Sequence, residues 1–218
     1  SGGRKTICPG LSSLDTIRKF HGYEMMDDPM VLSAVLKNNP CHLEALSVAQ
    51  AAPPEYALNL VLDNHRNIVE AFAGDYIHSH EEAVDLVKSA ACKKVNNTAD
   101  IVVTSCGGYP LDATFYQCVK GFVACLPALK ERGKIIAFGS CSEGIGSREY
   151  EKLMKEYNGN WRQFMEVHKN PDNFIKDQWQ YQMHIRTLRK SGNEHLHFIT
   201  DGLSQKDLDM LSVNGHAV

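Results

Sequence analysis

The sequence lacks any apolar run near the roughly 18 residues of a spanning helix, and its start lacks a signal-type apolar segment. A membrane-embedded or exported chain is therefore not expected, and a cytoplasmic protein is. No C-x-x-C occurs among the seven cysteines, an odd number, which points to reduced thiols and away from a disulfide framework or zinc cage. The Asn96-Asn97-Thr98 sequon is then accidental. Excess positive charge is also missing: the net charge of −3 recommends neither nucleic acid nor an anionic membrane as partner. Neither G-x-S-x-G, G-x-G-x-x-G nor G-x-x-x-x-G-K-[ST] appears, which disfavours a hydrolase elbow, a dinucleotide fold and a P-loop. Internal repeats and low-complexity segments are absent. What remains is an ordinary globular composition, 43% hydrophobic and 22% charged over 218 residues, enough for one large or two small domains.

The most informative stretch lies in mid-chain. Ala99 to Cys106 is a β-branched apolar run of the kind that forms a buried strand. Gly107, Gly108 and Pro110 break it, and Asp112 is a natural N-cap for a helix over about 113–126. A second apolar run at about 134–139 completes a strand-helix-strand crossover, so the two strands are expected to be parallel with their ends side by side. The expected class is α/β: an open, largely parallel sheet with flanking helices, including one β-hairpin at about 56–73. Crevices beyond the carboxyl ends of such strands bind ligands. Gln117 and Lys120, three residues apart on one helical face, stand beside that crevice and suit a small anion, Lys120 as point charge and Gln117 as amide. Read alone, most such pairs are a solvated helix face; the glycine turn and the neighbouring strand end are what set this one apart.

Elsewhere, Ser12 with Asp15 forms a capping box for a helix to Phe20, which His21-Gly22 ends. There His21 is comfortable at the negative pole of the helix dipole. Asp27-Asp28-Pro29 opens another short helix, and one over about 43–51 stops at Pro53-Pro54. Ser79 with Glu82 caps a helix to about Lys93, where His78 and His80 read as solvated. Helices follow over about 148–157, 161–168 and 173–190, the last carrying Trp179 among glutamines, either a core anchor or a pocket wall. His195 and His197 share a face of a strand over about 195–200, and Ser204 to Asp207 caps a final short helix.

Two separated motifs carry a closer likeness. S-G-G-R-K-x-I-x-P-G-x-x-S-x-x-T-I over 1–17 with His21, and G-G-Y-P-x-D-x-x-x-Y-Q-x-x-K over 107–120, closely resemble the nickel-dependent lactate racemase family. The hairpin, the Gly74-Asp75 turn and Gln178-Trp179-Gln180 fit as well. The resemblance implies a nickel-pincer nucleotide, a pyridinium mononucleotide with two sulfur arms, tethered to Lys5 by a thioamide, with His21 completing the nickel coordination. It implies that Gln117 and Lys120 bind a small 2-hydroxy carboxylate, that Trp179 borders the pocket, and that racemisation proceeds by reversible hydride transfer at C2.

The family's two general-base histidines belong to an N-terminal domain preceding the cofactor lysine, so no catalytic residue is assigned in this chain. The expected organisation is an interdomain, cofactor-lysine segment over 1–25 and a C-terminal α/β domain over 26–218. Beginning without methionine and ending short of the family's usual last strand and helix, the chain reads as a piece of a longer protein. On its own it is expected to be inactive and without cofactor. Its expected partners are the substrate, the N-terminal domain and the cofactor-synthesis enzymes, with no nucleic acid or membrane. Two alternatives stay open: an epimerase or racemase of a larger hydroxy or sugar acid, and a non-catalytic small-anion-binding domain. Lys5 and His21 speak against the latter, which has no reason to keep both.

Overall fold

The computed structural model describes residues 3–218, with side chains from Lys5 onward; Ser1 and Gly2, which open the first motif, lie outside the described residues. In chain order a 3-10 turn (Gly3–Thr6) is followed by α1 (Leu14–Phe20), α2 (Tyr23–Asp27), α3 (Pro40–Ala51), β1 (Ala57–Leu62), β2 (Ile68–Gly74) and α4 (His78–Ala91). Then come β3 (Ala99–Ser105), α5 (Phe115–Ala124), β4 (Leu129–Phe138), α6 (Arg148–Glu156), α7 (Trp161–His168), α8 (Gln178–Ser191), β5 (Leu196–Thr200), α9 (Gln205–Leu208) and β6 (Asn214–Ala217). Two compact units result, one joining the residues up to Phe20 with Asp28–Lys94, the other joining His21–Asp27 with Val95–Val218. Among the described residues no helix is long and apolar enough to cross a membrane.

In the first unit β1 and β2 form the expected antiparallel hairpin. Asp63 closes it by accepting from the backbone N–H groups of His65 and Asn67, both at 2.8 Å, an Asx-type turn. Asn59 and Val61 point inward, and buried Asn59 donates to the Ser79 hydroxyl at 3.1 Å. Ser79 is therefore inside α4, not its cap. Asp75 starts that helix instead, accepting from Ile77 N and His78 N, each at 3.0 Å. Ser13 replaces Ser12 in the same way at α1, where Thr16 N donates to Ser13 Oγ. The helix expected after Asp27-Asp28-Pro29 is absent, and α3 begins early at Pro40 because Asn39 caps it and proline suits the first helical position.

The second unit is a four-stranded parallel sheet in the order β3-β4-β5-β6, and the expected β3-α5-β4 crossover is present with Val103 opposite Ile136. A strand order that advances one place at a time, with crossovers of one hand, stacks the helices on one face. On that face Ile135, Ala137, Leu196 and Phe198 are fully buried, and Phe115, Phe122 and Phe198 meet edge-on with centroids 5.3–5.8 Å apart. Ile101, Val103 and Phe138 point the other way and remain 54%, 65% and 46% exposed. The expectation of a fully buried first strand is corrected here: β3 is an edge strand covered on one face only. Strand β6 was not expected, having no β-branched run, and β5 starts at Leu196, leaving His195 in a 3-10 turn.

Candidate functional site

The site begins where β3 ends. Gly107 and Gly108 have φ of +99° and +71°, a region open to glycine, and they turn the chain through Pro110 toward α5. Asp112, expected as the cap of α5, does something else: its Oδ2 accepts from Ser140 N at 3.1 Å and its carbonyl accepts from Cys141 N at 2.9 Å. It ties the turn to the end of β4, and Thr114 caps the helix by accepting from Gln117 N. Phe115 N and Tyr116 N donate to the carbonyls of Gly144 and Ile145, both at 3.0 Å. The first donors of α5 are thus consumed by the loop after β4.

Gln117 and Lys120 stand there. Lys120 Nζ donates to Gln117 Oε1 at 2.6 Å, which turns the amide oxygen toward the ammonium and leaves the Gln117 NH2 as the group offered to a ligand. Lys120 is exposed and Gln117 half-buried, so the pair is accessible. Beneath it Cys118 and Cys141 bring their sulfurs to 3.9 Å, and no disulfide joins any of the seven cysteines. The contact with Cys118 lowers the Cys141 thiol, while hydrogen bonding to its neighbours and burial raise Cys118.

His21 and Trp179 form a stack, ring centroids 5.1 Å apart and planes 20° from parallel. The pairing follows from how α2 is strapped to α8. Gln182 donates to Tyr23 O at 3.0 Å, Arg186 to Met26 O at 2.7 Å, and Arg189 pairs with Asp27 at 2.7 Å. Trp179 also meets Tyr116 edge-on at 5.9 Å and 89°. Gln180 Nε2 donates to the Tyr116 carbonyl, and the Tyr116 hydroxyl donates to Asp177 Oδ1 at 3.3 Å. Burial, then the Asp177 charge, raises the Tyr116 phenol, so it stays protonated.

Of the residues singled out in the sequence, His21, Trp179, Gln117 and Lys120 all fall in the second unit. Tyr116 connects them, being bonded in sequence to Gln117 and touching Trp179. Tyr116 belonged to the motif but had no role assigned, and Asp177 carried no signal at all. Lys5 belongs to the first unit, in the Gly3–Thr6 turn. Its carbonyl accepts from Gly10 N at 3.1 Å, and a Cβ on Gly10 would sit 2.2 Å from Thr6 O, so this close approach requires glycine. A cavity of about 580 Å³ beside it is lined by Lys5, Cys8, His42, Val61 and Ala83. Among the described residues no group of three or more His, Cys, Asp or Glu is placed to hold a metal; His197 and His216 pair across β5 and β6 as two stacked rings.

Comparison with known proteins covers the same ground. The family model described as the lactate racemase C-terminal domain matches residues 92–215, which coincides with the second unit's long segment Val95–Val218. A lactate racemase of Thermoanaerobacterium thermosaccharolyticum is 36% identical over 189 residues, 86% of this chain and 44% of the relative. One of Lactiplantibacillus plantarum is 32% identical over 203 residues, 92% of this chain and 47% of the relative. The solved structure of the T. thermosaccharolyticum lactate racemase apoprotein superposes with a TM-score of 0.91 at 33% identity, covering 99% of this chain and 51% of that one. The chain spans about half the length of these relatives. With the family's C-terminal domain matched across the parallel sheet and its helices, this chain belongs to the lactate racemase family.

Proposed function

We propose that this chain is the substrate- and cofactor-binding part of a cytoplasmic 2-hydroxy acid racemase of the lactate type, working by reversible hydride transfer with a nickel-pincer nucleotide. One observation carries the reading: Tyr116, the chain neighbour of Gln117, meets Trp179 edge-on, and Trp179 stacks on His21, so the Gln117–Lys120 pair and the His21 imidazole belong to one unit. Lys120 holds the substrate carboxylate through a charge-assisted hydrogen bond. Gln117, its oxygen engaged by Lys120, donates its NH2 to the C2 oxygen and keeps that bond as the hydroxyl becomes a carbonyl. Both grips act at one end of the molecule, so the carboxylate and C2 oxygen stay anchored while C2 passes through the planar 2-keto acid. Trp179 walls the pocket and keeps water from that carbon.

The chain's residues fit the cofactor the family implies. His21 is a borderline nitrogen donor suited to nickel, and its ring orientation is set by the stack on Trp179. Lys5 offers an amine from a tight turn closed by Gly10, suited to a covalent link. When bound, the nickel-pincer group supplies the centre for hydride transfer. The proton of the C2 hydroxyl goes to histidine bases of the N-terminal domain, a required partner together with the enzymes that build the cofactor. The polypeptide of 218 residues alone is therefore inactive.

The test is intact-mass and nickel analysis of the complete parent protein expressed with cofactor-synthesis enzymes. A mass adduct mapping to Lys5 and lost in Lys5→Ala is expected; an unmodified Lys5 in a parent with racemase activity overturns the assignment.

A further inference from the structure

We propose that His197 and His216 form a two-ligand site for a tetrahedral divalent cation of the zinc type, which clips the edge strand β6 to β5. Neither residue has a part in the racemisation proposed above.

Strand alternation pairs His195 with His197, but His195 sits in the 3-10 turn before β5, and it is His216 on β6 that meets His197. By its residues β6 is a poor strand: Asn214-Gly215-His216-Ala217 has no β-branched side chain, and it forms one edge of the sheet. Contacts from α9 fix it nonetheless. Gln205 grips the backbone on both sides of His216, its Nε2 donating to Gly215 O at 3.1 Å and its Oε1 accepting from Ala217 N at 3.4 Å. A Cβ on Gly215 would lie 2.6 Å from Leu208 Cβ, so glycine lets α9 pack directly on the strand. The register sets Asn214 opposite His197 and His216 opposite Ile199, so both imidazoles project from the helix-free face of the sheet. Both ligands are thus carried on paired strands and positioned before an ion arrives.

His197 Nδ1 stands 3.3 Å from His216 Nε2, with ring centroids 5.6 Å apart and planes 13° from parallel. The gap between those two distances is taken up by the two ring radii, so the nitrogens face one another. A hydrogen bond alone would draw them closer, since N–H donors settle about 2.9–3.0 Å from an acceptor oxygen. A zinc ion about 2.0–2.1 Å from each nitrogen, at tetrahedral angles, needs its ligand atoms about 3.3–3.4 Å apart, which is the spacing present. The square-planar sites that Cu2+ and Ni2+ favour need about 2.8–3.0 Å, so the separation also selects among metals. Each ring tilts to aim its lone pair at the ion, which the exposed His216 side chain has room to do. Whichever facing nitrogen carries the proton passes it through solvent to the far nitrogen of its own ring, so two neutral imidazoles ligate with no net proton released. Water completes the coordination.

The experiment uses the complete parent protein, expressed without the cofactor-synthesis enzymes and stripped of metal with a chelator. Zinc chloride alone is titrated into it by calorimetry at about pH 7.5, where free histidine is neutral. We expect His197→Ala and His216→Ala each to lose one equivalent of bound zinc, the double variant to lose no more than either, and His65→Ala, an exposed histidine of the β1–β2 turn, to lose none. Zinc held by other histidines or thiols is common to all four variants and cancels. Saturating zinc should also raise the melting temperature of the parent by more than that of either single variant, because an ion joining two strands binds only the folded protein. Unchanged zinc stoichiometry in the single variants, or a loss in only one of them, overturns the site; zinc bound by the pair with no added thermal gain overturns the clip. His216 is exposed, so its removal leaves the fold intact and that variant decides the question if His197→Ala misfolds. Neither cofactor nor activity enters the readout, so a failed Lys5 adduct experiment leaves it standing.

Discussion

Acidification provides a sharp test of the packing behind the site. His184 lies on the inner face of α8, fully buried, with its Nδ1 3.5 Å from the Tyr150 hydroxyl and its ring against Phe115 and Phe122. Burial is the first cause of its low pKa, about 3 from an ordinary 6.5, a backbone contact at Ser212 only partly offsetting it. The folded protein therefore holds His184 neutral while the unfolded chain protonates it near 6.5, so stability is fully present above that pH and is lost as pH falls toward 3. Each unit of pH in that window costs about 1.4 kcal/mol, which makes about 3 kcal/mol between neutrality and pH 4 from this one ring. Urea unfolding of the second unit, followed by the emission of Trp161 and Trp179, measures it. Buried His168 shifts in the same direction and carboxylates contribute as well, so the informative quantity is the difference between the parent chain and His184→Gln. That difference should narrow steadily from pH 7 to pH 4. Parallel profiles would refute the reasoning, because they would mean that His184 protonates in the folded state at little cost.

In the complete parent protein, Lys120→Ala should weaken binding of 2-hydroxy carboxylates by about 1.5–3 kcal/mol, the worth of a hydrogen bond to a charged group; unchanged affinity by calorimetry would return Lys120 to the role of a solvated lysine. Thr114→Ala should cost about 1 kcal/mol in denaturant unfolding of the second unit, since it removes the cap of α5, whereas Thr114→Ser should restore most of it. Equal stability of all three proteins would show that the carbonyls of Gly144 and Ile145 suffice to hold the helix start.

The bare face of the parallel sheet has a simple origin. Parallel sheets usually carry helices on both faces, but a strand order that never reverses leaves one face without them. Ile101, Val103 and Phe138 are apolar on that face, which is why the strand read as continuously hydrophobic although half of it is exposed.

Several features were legible in the amino-acid sequence because they depend on near neighbours. The hairpin follows from two strand candidates separated by the short polar stretch from Asp63 to Arg66, the crossover from two apolar runs separated by a helical one, and the α9 capping box from Ser204 and Asp207. The Gln117–Lys120 pair follows from helical spacing alone. The caps were less secure wherever two candidate residues stood close together: Asp112 against Thr114, Ser12 against Ser13, Ser79 against Asp75. In each case a side chain found a partner far along the chain, or a neighbour reached the backbone first.

The motifs and their local spacing determined the family and the α/β class, since each depends on residue type within a few positions. Tertiary structure alone decided that His21 lies on Trp179, that Asp112 reaches Ser140 and that Asp177 holds the Tyr116 hydroxyl. Those contacts join residues 28 to 158 positions apart, and no local pattern encodes them: they exist because α2 is strapped to α8 and because the crossover brings two strand ends together.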